Sequence, residues 1–376
     1  MKEIKSMSQQ RHKRIIISGG GTGGHVFPAI SIANALRRID PGTEILFVGA
    51  LGRLEMEKVP EAGYRIIGLP VEGLKRRLTL KNLAVLTRFF RSMRIAGKII
   101  REFRPDVVVG VGGYASGPVL RQAGKLGIPT LIQEQNSYAG VTNKLLAKKA
   151  SVICVAYQGM EKYFPAGKIV LTGNPVRLNL ENLPAMRKEA MSFFGLTENV
   201  PVVLILGGSL GAGSINRSLS DGIDVLGKSD CQWLWQSGKY YFEGVEKLVS
   251  GTPYTNIKVL SFINRMDLAF AAADVIVTRA GAGTISELCL AGKPAILVPS
   301  PNVAEDHQTR NALALSEKEA AILIPDSKAP GSLAGEALRL VADPGLRRKL
   351  SENIVKLAER DADKRIAEEV LKLAGI

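Results

Sequence analysis

The chain has 376 residues, of which 46% are hydrophobic, and this content excludes an intrinsically disordered protein. The length exceeds that of one ordinary domain, so two domains are the first expectation and one large α/β domain is the alternative. All of the net charge of +15 lies in residues 1–150, which hold 25 Lys and Arg against 10 Asp and Glu, whereas 151–376 hold 25 of each. This asymmetry predicts that the first half meets an anionic surface, either nucleic acid or acidic lipid.

Neither a membrane span nor a secretory leader is predicted. No apolar run approaches the length of a spanning helix, and the N-terminal MKEIKSMSQQRHKR lacks the apolar segment of a signal peptide, so a cytoplasmic location is expected. The three cysteines, Cys154, Cys231 and Cys289, have no paired spacing, which argues against a zinc site or a disulfide framework. They are expected to be buried as small apolar residues.

Short β-branched runs that end in glycine and lead into amphipathic stretches recur along the chain. They are RIIIS, EILFV and DVVVG in the first half, and PVVLIL, VIVT and PAILVP after the proline-containing stretch TGNPVRLNLENLP. The pattern predicts two Rossmann-like α/β units with parallel sheets, whose ligands lie beyond the carboxyl ends of the strands, facing across a cleft. The expected domains are 1–175 and 176–355, with a C-terminal helix over 356–376 that packs back toward the first domain.

The first glycine turn, SGGGTGGH at 18–25, satisfies the G-x-G-x-x-G pattern between a strand and a helix. A dinucleotide site also needs a carboxylate at the end of the second strand, where this chain has Val48, Gly49, Ala50 and Leu51. A nicotinamide cofactor is therefore disfavoured. What remains is bare backbone that lets a negatively charged ligand approach a helix N-terminus.

Two other motifs are judged by their context. The segment GIDVLGKS at 222–229 spells a P-loop but follows a helical pattern, so it is interpreted as a helix end with Gly227 as the cap. The segment DAD at 361–363 lies among alternating charges, which favours a solvated helix face over a metal site.

The segment 278–312 carries the second set of polar residues. After a strand and a glycine turn, Thr284 is predicted to open a helix whose second turn carries Glu287. A carboxylate there is placed to accept both ribose hydroxyls of a nucleoside diphosphate. The alternative is a glutamate that only complements the helix dipole.

The segment Leu74–Arg104 holds ten basic residues and one acidic residue. At helical spacing one face is apolar and the neighbouring face is basic. The apolar face consists of Leu83, Leu86, Phe90, Met93 and Ile100, and the basic face of Arg91, Arg94, Lys98 and Arg101. The segment is interpreted either as a helix that covers the sheet or as a basic amphipathic surface for anionic membranes.

Eight motifs taken together resemble the MurG family of lipid-linked N-acetylglucosaminyltransferases of peptidoglycan synthesis. They are GGGTGGHVFPAISIANAL, GVGGYASGP, EQNSYAGVTNKLLA, TGNPVR, LGGSLGAGSIN, FINRM, TRAGAGTISEL and EDHQTRNA. The resemblance implies a GT-B fold, UDP-N-acetylglucosamine as donor and undecaprenyl-diphosphate N-acetylmuramoyl-pentapeptide (lipid I) as acceptor. It also implies an inverting transfer to the muramoyl 4-hydroxyl that forms lipid II. The sequence itself offers no convincing metal cluster, so no cofactor and no tightly bound metal are predicted.

The resemblance further implies a peripheral protein on the cytoplasmic face of the plasma membrane. The basic segment Leu74–Arg104 would meet anionic lipid, and cell-wall synthesis proteins would be partners.

The resemblance implies roles for residues of the C-terminal half in donor binding. The backbone at Ile263 would read uracil, Glu287 the ribose, and Ala282, Gly283, Thr284 and Ser209 the diphosphate. Gln308 and Asn311 would hold sugar hydroxyls, and Arg177 would lie near the donor phosphates. Thr22, Gly23 and Asn136 of the N-terminal half are assigned to the donor as well.

The acceptor is expected at the N-terminal half. Thr22, His25, Tyr114 and Asn136 would face it, and the turn Gly19–Gly24, including Gly20 and Gly21, would bind its diphosphate. His25 is interpreted as the general base, with support of the loop through a ring N–H as the alternative. The segment GALGRLE at 49–55 receives no role.

Two other functions fit parts of the pattern. A UDP-N-acetylglucosamine 2-epimerase, or another GT-B enzyme acting on a UDP-sugar, would share the architecture without needing a lipid. A nucleic-acid binder would explain the charge, but aromatic residues make up only 6% of the chain and no such motif is present, so no nucleic acid is expected.

Overall fold

The structure is a computed structural model that describes residues 12–72, 81–176, 180, 182–208, 210–303 and 306–375, with the backbone alone for 81–86. These residues form two compact units. Unit 1 contains the described residues up to Gln135, Ala139–Pro175 and those from Asp361 onward, and unit 2 contains Asn136–Tyr138 and Val176–Arg360.

Unit 1 alternates strands and helices. Its strands β1 to β7 are Arg14–Ser18, Glu44–Ala50, Arg65–Leu69, Val107–Gly110, Thr130–Glu134, Val152–Val155 and Ile169–Leu171. Its helices α1 to α5 are Gly23–Ile39, Glu55–Glu61, Lys81–Phe103, Ser116–Lys125 and Val141–Ala147, and α15 is Ala362–Leu373.

The seven strands of unit 1 form one parallel sheet in the order β3-β2-β1-β4-β5-β6-β7. Ile15, Ile16 and Ile17 of β1 are all fully buried. Because successive strand side chains point to opposite faces, this run shows that helices cover both faces of the sheet. The β-branched composition of the strand follows from that burial.

Unit 2 repeats the alternation. Its strands β8 to β13 are Val202–Leu206, Gln232–Gln236, Ile257–Leu260, Val275–Thr278, Ala295–Leu297 and Ile322–Leu323. Its helices α6 to α14 are Leu183–Phe194, Gly213–Asp221, Ile223–Gly227, Phe242–Ser250, Met266–Ala272, Ala282–Ala291, His307–Ser316, Leu333–Ala342 and Pro344–Val355.

The six strands of unit 2 form a parallel sheet in the order β10-β9-β8-β11-β12-β13. The strand order reverses between β8 and β11, as it does between β1 and β4 in unit 1. Doubly wound sheets bind ligands at such a switch point, beyond the carboxyl ends of the strands. Each unit therefore has one candidate ligand site. The turns after β1 and β4 form the site of unit 1, and the turns after β8 and β11 form the site of unit 2.

Helix α15 belongs to unit 1 and packs against α1. Its Ile366, Ala367 and Val370 are fully buried in the same apolar cluster as the odd-numbered isoleucines of β1. At its first turn Asp363 forms an ion pair of 2.5 Å with Arg38 of α1. A carboxylate of the DAD segment thus has a cationic partner, as a helix-face position predicts.

The predicted fold class of two α/β units with parallel sheets is confirmed. All six predicted strand runs are strands, and they correspond to β1, β2, β4, β8, β11 and β12. The three cysteines are free and buried, as expected. Burial raises the pKa of the thiols of Cys154 and Cys289 to about 12, so neither is a thiolate nucleophile at neutral pH.

The P-loop-like segment is a helix end, as predicted from its context. Helix α8 ends at Gly227, but the capping position is Lys228, so the predicted cap was wrong by one residue. Glycine is required at 227 for a different reason, since an added Cβ would lie 2.1 Å from the ring of Tyr254. Gly222 separates α7 from α8 within the predicted single helix.

Helix α3 confirms one predicted face and corrects the other. Met93 and Ile100 are buried, and Arg91, Arg94, Lys98 and Arg101 are exposed. Phe90, predicted on the apolar face, is instead 59% exposed, and among the described side chains of this helix the buried ones lie at Ser92 and beyond. Leu83 and Leu86 lie outside the described side chains. Of the helices that the structure describes, none combines the length and apolar character needed to cross a bilayer.

Candidate functional site

Two glycine turns meet at the switch point of unit 1. Gly20 follows β1 and Gly113 follows β4, and an added Cβ on Gly113 would lie 2.4 Å from the carbonyl oxygen of Gly20. Gly113 has φ +83 and Gly21 has φ +90, a backbone region that favours glycine. The close approach and the dihedral angles together explain why both turns are rich in glycine.

His25 lies in the first turn of α1, beside these turns. Its Nδ1 is 3.2 Å from the carbonyl oxygen of Gly20 and 3.5 Å from Oγ1 of Thr22. The other ring edge faces Gly112, on which an added Cβ would be 2.8 Å from Nε2. The imidazole is half-buried, whereas Thr22 and Gly24 are exposed. The first N–H groups of α1, starting at Gly23, leave a helix N-terminus that favours an anion.

A buried carboxylate that the sequence analysis missed supports this loop. Glu55, at the start of α2, is 1% exposed and accepts the N–H of Gly21 at 2.8 Å and the N–H of Ala50 at 2.9 Å. The N–H of Gly21 is therefore committed to a carboxylate, which changes the expectation that the whole turn offers its amides to a diphosphate. The segment GALGRLE, to which no role was assigned, supplies this contact.

Two further predicted residues follow strands of the first sheet. Tyr114, in the turn after β4, is 53% exposed. Asn136, after β5, belongs by its contacts to unit 2, where its Oδ1 accepts from Nδ2 of Asn311 at 3.2 Å.

Asn311 is fully buried in α12, and its amide is fully engaged. Its Oδ1 accepts from N and Oγ of Ser137, both at 3.0 Å, and its Nδ2 also donates to the carbonyl of Ala280 at 3.4 Å. Contact between Asn311 and a sugar hydroxyl stays a prediction, and it requires these bonds to rearrange.

The switch point of unit 2 is formed by the turns after β8 and β11. Helix α11 begins at Ala282, with Gly281 as its N-cap, so Thr284 is its third residue and not its first. The predicted diphosphate residues Ala282, Gly283 and Thr284 thus form the first turn, whose N–H groups favour negative charge. Glu287 follows one turn later and is half-buried. Ser209 lies outside the described residues.

Ile263 and Gln308 are partly committed to internal bonds. The N–H of Ile263 donates to Oε1 of Gln236 at 2.9 Å, which leaves its carbonyl as the backbone group for a ligand. Oε1 of Gln308 accepts from the N–H of Ser300 at 2.8 Å, so its amide N–H groups are the ones that remain for a sugar hydroxyl. Arg177 lies outside the described residues.

Within the described ranges, no group of three His, Cys, Asp or Glu side chains is arranged to hold a metal ion.

The comparisons with known proteins agree with one another. The model of the glycosyltransferase family 28 N-terminal domain matches residues 15–155, and the model of the C-terminal domain of the same family matches 202–366. A protein of Parabacteroides distasonis is 56% identical over 363 residues, which are 96% of this chain and 99% of that protein. One of Porphyromonas gingivalis strain W83 is 58% identical over 361 residues, 96% of this chain and 95% of that protein. Both are named UDP-N-acetylglucosamine–N-acetylmuramyl-(pentapeptide) pyrophosphoryl-undecaprenol N-acetylglucosamine transferase.

Solved structures show the same relationship. The crystal structure of Acinetobacter baumannii MurG matches with a TM-score of 0.78 and 29% identity, over 96% of this chain and 99% of that one. A UDP-GlcNAc 2-epimerase from Neisseria meningitidis matches with a TM-score of 0.65 over 96% of this chain and 100% of that one. Its identity is 14%, so this second likeness shows a shared fold alone.

Proposed function

Because this chain belongs to the MurG family within glycosyltransferase family 28, we propose that it transfers N-acetylglucosamine from UDP-N-acetylglucosamine to lipid I, forming lipid II. The observation that carries the proposal is identity of 56% to 58% over nearly the full length of relatives named for this reaction. The chain is thus a glycosyltransferase of peptidoglycan synthesis with a GT-B fold. The epimerase alternative has only the shared fold in its favour.

The donor is held in unit 2 under this proposal. The first turn of α11, with Ala282, Gly283 and Thr284, faces the diphosphate with backbone N–H groups. Glu287, one turn further along the same helix, accepts the ribose hydroxyls. The carbonyl of Ile263 and the amide of Gln308 serve uracil and the sugar. Ser209 and Arg177 complete the phosphate contacts in this proposal, although both lie outside the described residues.

The acceptor is held in unit 1. The start of α1, at Gly23 and Gly24, offers N–H groups to the lipid diphosphate, while Gly21 is held by Glu55. Tyr114, exposed in the neighbouring turn, contacts the acceptor.

The transfer step follows from these assignments. The muramoyl 4-oxygen bonds to the anomeric carbon while its proton passes to Nε2 of His25. The bond from that carbon to the β-phosphate oxygen breaks, with its electron pair leaving on UDP. Attack opposite the leaving group inverts the anomeric centre. A positioned base contributes about 10² to 10⁴ in rate.

In this proposal the N-terminus of α11 stabilises the negative charge that develops on UDP, because the positive end of the helix dipole lies at the first turn, beginning at Ala282. Together with Arg177, this replaces the role that a divalent cation plays in other transferases. We propose no resident metal and no cofactor for this enzyme.

The basic face of α3 brings the enzyme to its lipid substrate. Arg91, Arg94, Lys98 and Arg101 are exposed, and Phe90 is 59% exposed beside them. Exposed cations that flank an apolar ring bind the interface of an anionic membrane. The proposed location is the cytoplasmic face of the plasma membrane, with cell-wall synthesis proteins as partners and no nucleic acid.

The test is transfer of radiolabelled N-acetylglucosamine from its UDP conjugate to a short-chain lipid I analogue, with EDTA present. Formation of the lipid-linked disaccharide is the expected result. An enzyme that binds UDP but forms no disaccharide contradicts the proposal, and conversion of UDP-N-acetylglucosamine to its 2-epimer in the same tube would replace it with the epimerase. Product only after added magnesium would contradict the metal-free step.

A further inference from the structure

One peptide group joins a buried carboxylate to the proposed base. The N–H of the peptide between Gly20 and Gly21 donates to Oε2 of Glu55 at 2.8 Å, and the carbonyl oxygen of the same peptide lies 3.2 Å from Nδ1 of His25. The two bonds are at opposite ends of one planar amide. A carboxylate that accepts a hydrogen bond from the N–H increases the negative charge on the carbonyl oxygen of the same peptide, because hydrogen bonds in a chain polarise one another.

The contact with this carbonyl favours one of the two tautomers of His25. A carbonyl oxygen only accepts, so the bond to Gly20 requires a proton on Nδ1. In a neutral imidazole, Nε2 then holds the lone pair that can take a proton. A second neighbour of Nδ1, Oγ1 of Thr22, is 3.5 Å away, beyond the usual hydrogen-bond range, and a hydroxyl that donates to Nδ1 would favour the opposite tautomer.

The backbone around Glu55 is shaped to admit its carboxylate. An added Cβ on Gly20 would lie 2.1 Å from the carboxyl carbon, and one on Gly49 would lie 2.5 Å from Cγ of Glu55. The second oxygen is fixed by the N–H of Ala50 at 2.9 Å, at the end of β2. Glycines at both positions and two backbone donors make this a built site, in which the carboxylate has one orientation.

We propose that Glu55 is a positioning residue for catalysis, which holds His25 in the Nδ1–H tautomer through the Gly20–Gly21 peptide. The arrangement resembles the carboxylate of an acid–histidine pair, with an amide inserted between the two groups. The catalytic part of this inference rests on the proposed function, whereas the tautomer of His25 does not.

If Glu55 acted only through its charge on the acceptor, its replacement would change KM and not kcat. A carboxylate beside the acceptor diphosphate repels it, so removing only that charge would lower KM for lipid I and leave kcat unchanged. Loss of the correct tautomer lowers kcat instead, because it affects only the proton transfer. The split between kcat and KM therefore separates the two roles.

The experiment compares three variants. In Glu55→Gln only one of the two side-chain oxygens remains as an acceptor, and an NH₂ group replaces the other. The N–H of either Gly21 or Ala50 then faces this NH₂ group and loses its acceptor. Glu55→Asp keeps both accepting oxygens on a side chain that is one methylene shorter. Glu57→Gln is the control on the same helix, where the exposed Glu57 pairs with Lys58 at 2.8 Å.

The first readout is the tautomer, measured from the imidazole ¹⁵N shifts of histidine-labelled full-length protein. The chain has three histidines, His12, His25 and His307, so the other two rings serve as internal references. The second readout is kcat and KM for the lipid I analogue, and the third is UDP affinity and thermal unfolding.

We expect His25 to be in the Nδ1–H tautomer in wild type and in a mixture of the Nδ1–H and Nε2–H tautomers in Glu55→Gln. In Glu55→Asp the fraction of the Nδ1–H tautomer should lie between these two. We expect kcat to fall about tenfold or more in Glu55→Gln, with UDP affinity retained and Glu57→Gln unchanged. If Glu55→Gln does not fold, the tautomer in Glu55→Asp decides.

The proposal is overturned if the tautomer of His25 is the same in wild type and in the folded Glu55 variants, even where kcat falls. A lower KM with unchanged kcat overturns it as well. If the wild-type enzyme transfers no sugar, the proposed function fails, and the tautomer measurement still decides whether Glu55 holds His25.

Discussion

Arg279 donates to Oγ of Ser214 at 3.0 Å, so the residue that follows β11 holds the first turn of α7, the helix that follows β8. Its other terminal nitrogen, Nη1, donates to the carboxylate of Asp326 and to the carbonyls of Val298 and Pro299. Both glycine turns of the unit 2 switch point are thereby tied to one planar cation. We expect the proposed donor site to depend on the planarity of this group as well as on its charge.

Replacement of Arg279 tests this dependence. Lysine keeps the charge but lacks the planar fork, so Arg279→Lys leaves part of the network unpaired. We expect UDP affinity to fall about tenfold and the free energy of unfolding to fall by about 2 kcal/mol. Calorimetric titration with UDP and chemical denaturation measure the two effects.

The control for that measurement is Arg339→Lys. Arg339 forms an exposed pair with Glu336 at 2.6 Å, and such pairs contribute little to stability. Equal UDP affinity in Arg279→Lys and wild type would show that the network does not shape the donor site.

His25→Ala removes the proposed base. Since His25 lies in unit 1 and the proposed donor residues with described positions lie mainly in unit 2, we expect kcat to fall about a hundredfold or more with UDP affinity retained. Transfer of radiolabelled sugar to a lipid I analogue measures the rate. A loss below threefold would leave His25 with a supporting role only.

Glu287→Ala tests the ribose contact. The wild-type carboxylate accepts two ribose hydroxyls in our proposal, so UDP should bind more tightly than 2′-deoxyUDP. In Glu287→Ala we expect UDP affinity to fall about tenfold and the preference between the two nucleotides to disappear. A variant that keeps the wild-type preference would assign Glu287 to the helix dipole instead.

The proposed membrane-binding surface of α3 is tested with vesicles. In the double variant Phe90→Ser and Arg94→Glu, an exposed ring and an exposed cation are lost, and each basic residue near an anionic surface contributes about 1 kcal/mol. We expect weaker flotation with phosphatidylglycerol vesicles and normal transfer to a water-soluble acceptor analogue. Wild-type binding that does not weaken with added salt would contradict an electrostatic surface.

Lys293 links stability to pH in unit 2. Burial lowers the pKa of its ammonium group from 10.5 to about 8, with the nearby Asp274 opposing the shift. Between pH 8 and 10.5 the unfolded chain therefore binds more protons at this residue, so its contribution to stability rises with pH across that window. Below pH 8 the folded protein carries the full free-energy penalty of burying the charged ammonium group of Lys293.

Lys293→Met removes that penalty, and also the bond from Nζ to the carbonyl of Ala273. We expect the stability of the variant relative to wild type to decrease by roughly 2 kcal/mol as the pH is raised from 7 to 10. Urea unfolding at several pH values measures the difference. A constant difference would show that Lys293 keeps its ordinary pKa.

Six of the thirteen described strands were predictable because they are β-branched runs that lead into turn residues, whereas the short or less regular apolar strands β3, β6, β7, β10 and β13 were not predicted. Strands β5 and β9 were missed because they carry glutamines at buried positions. Gln236 of β9 is 2% exposed and bonds the N–H of Ile263 and the carbonyl of Gly208. A buried polar side chain that forms hydrogen bonds with backbone groups far away in the sequence cannot be recognised from the residues next to it.

In the candidate site, too, the contacts between residues far apart in the sequence could not be predicted. The turns at Gly20 and Gly281 were evident from their glycines and from the strands before them. Glu55 was not, because its partner Gly21 is 34 residues away and the contact depends on two neighbouring strands ending at the same level. Arg279 lies within a recognised motif, yet its bond to Ser214 spans 65 residues.

The packing of α15 against α1 has a consequence for synthesis on the ribosome. Residues 362–373 are made only after the whole of unit 2, yet Ile366 and Val370 fill the core beside β1. Unit 2 apart from Asn136–Tyr138 is one uninterrupted segment that can be completed first. The half that is translated first is therefore the last to be completed, because the core residues that α15 covers in unit 1 lack that cover until α15 has been synthesised.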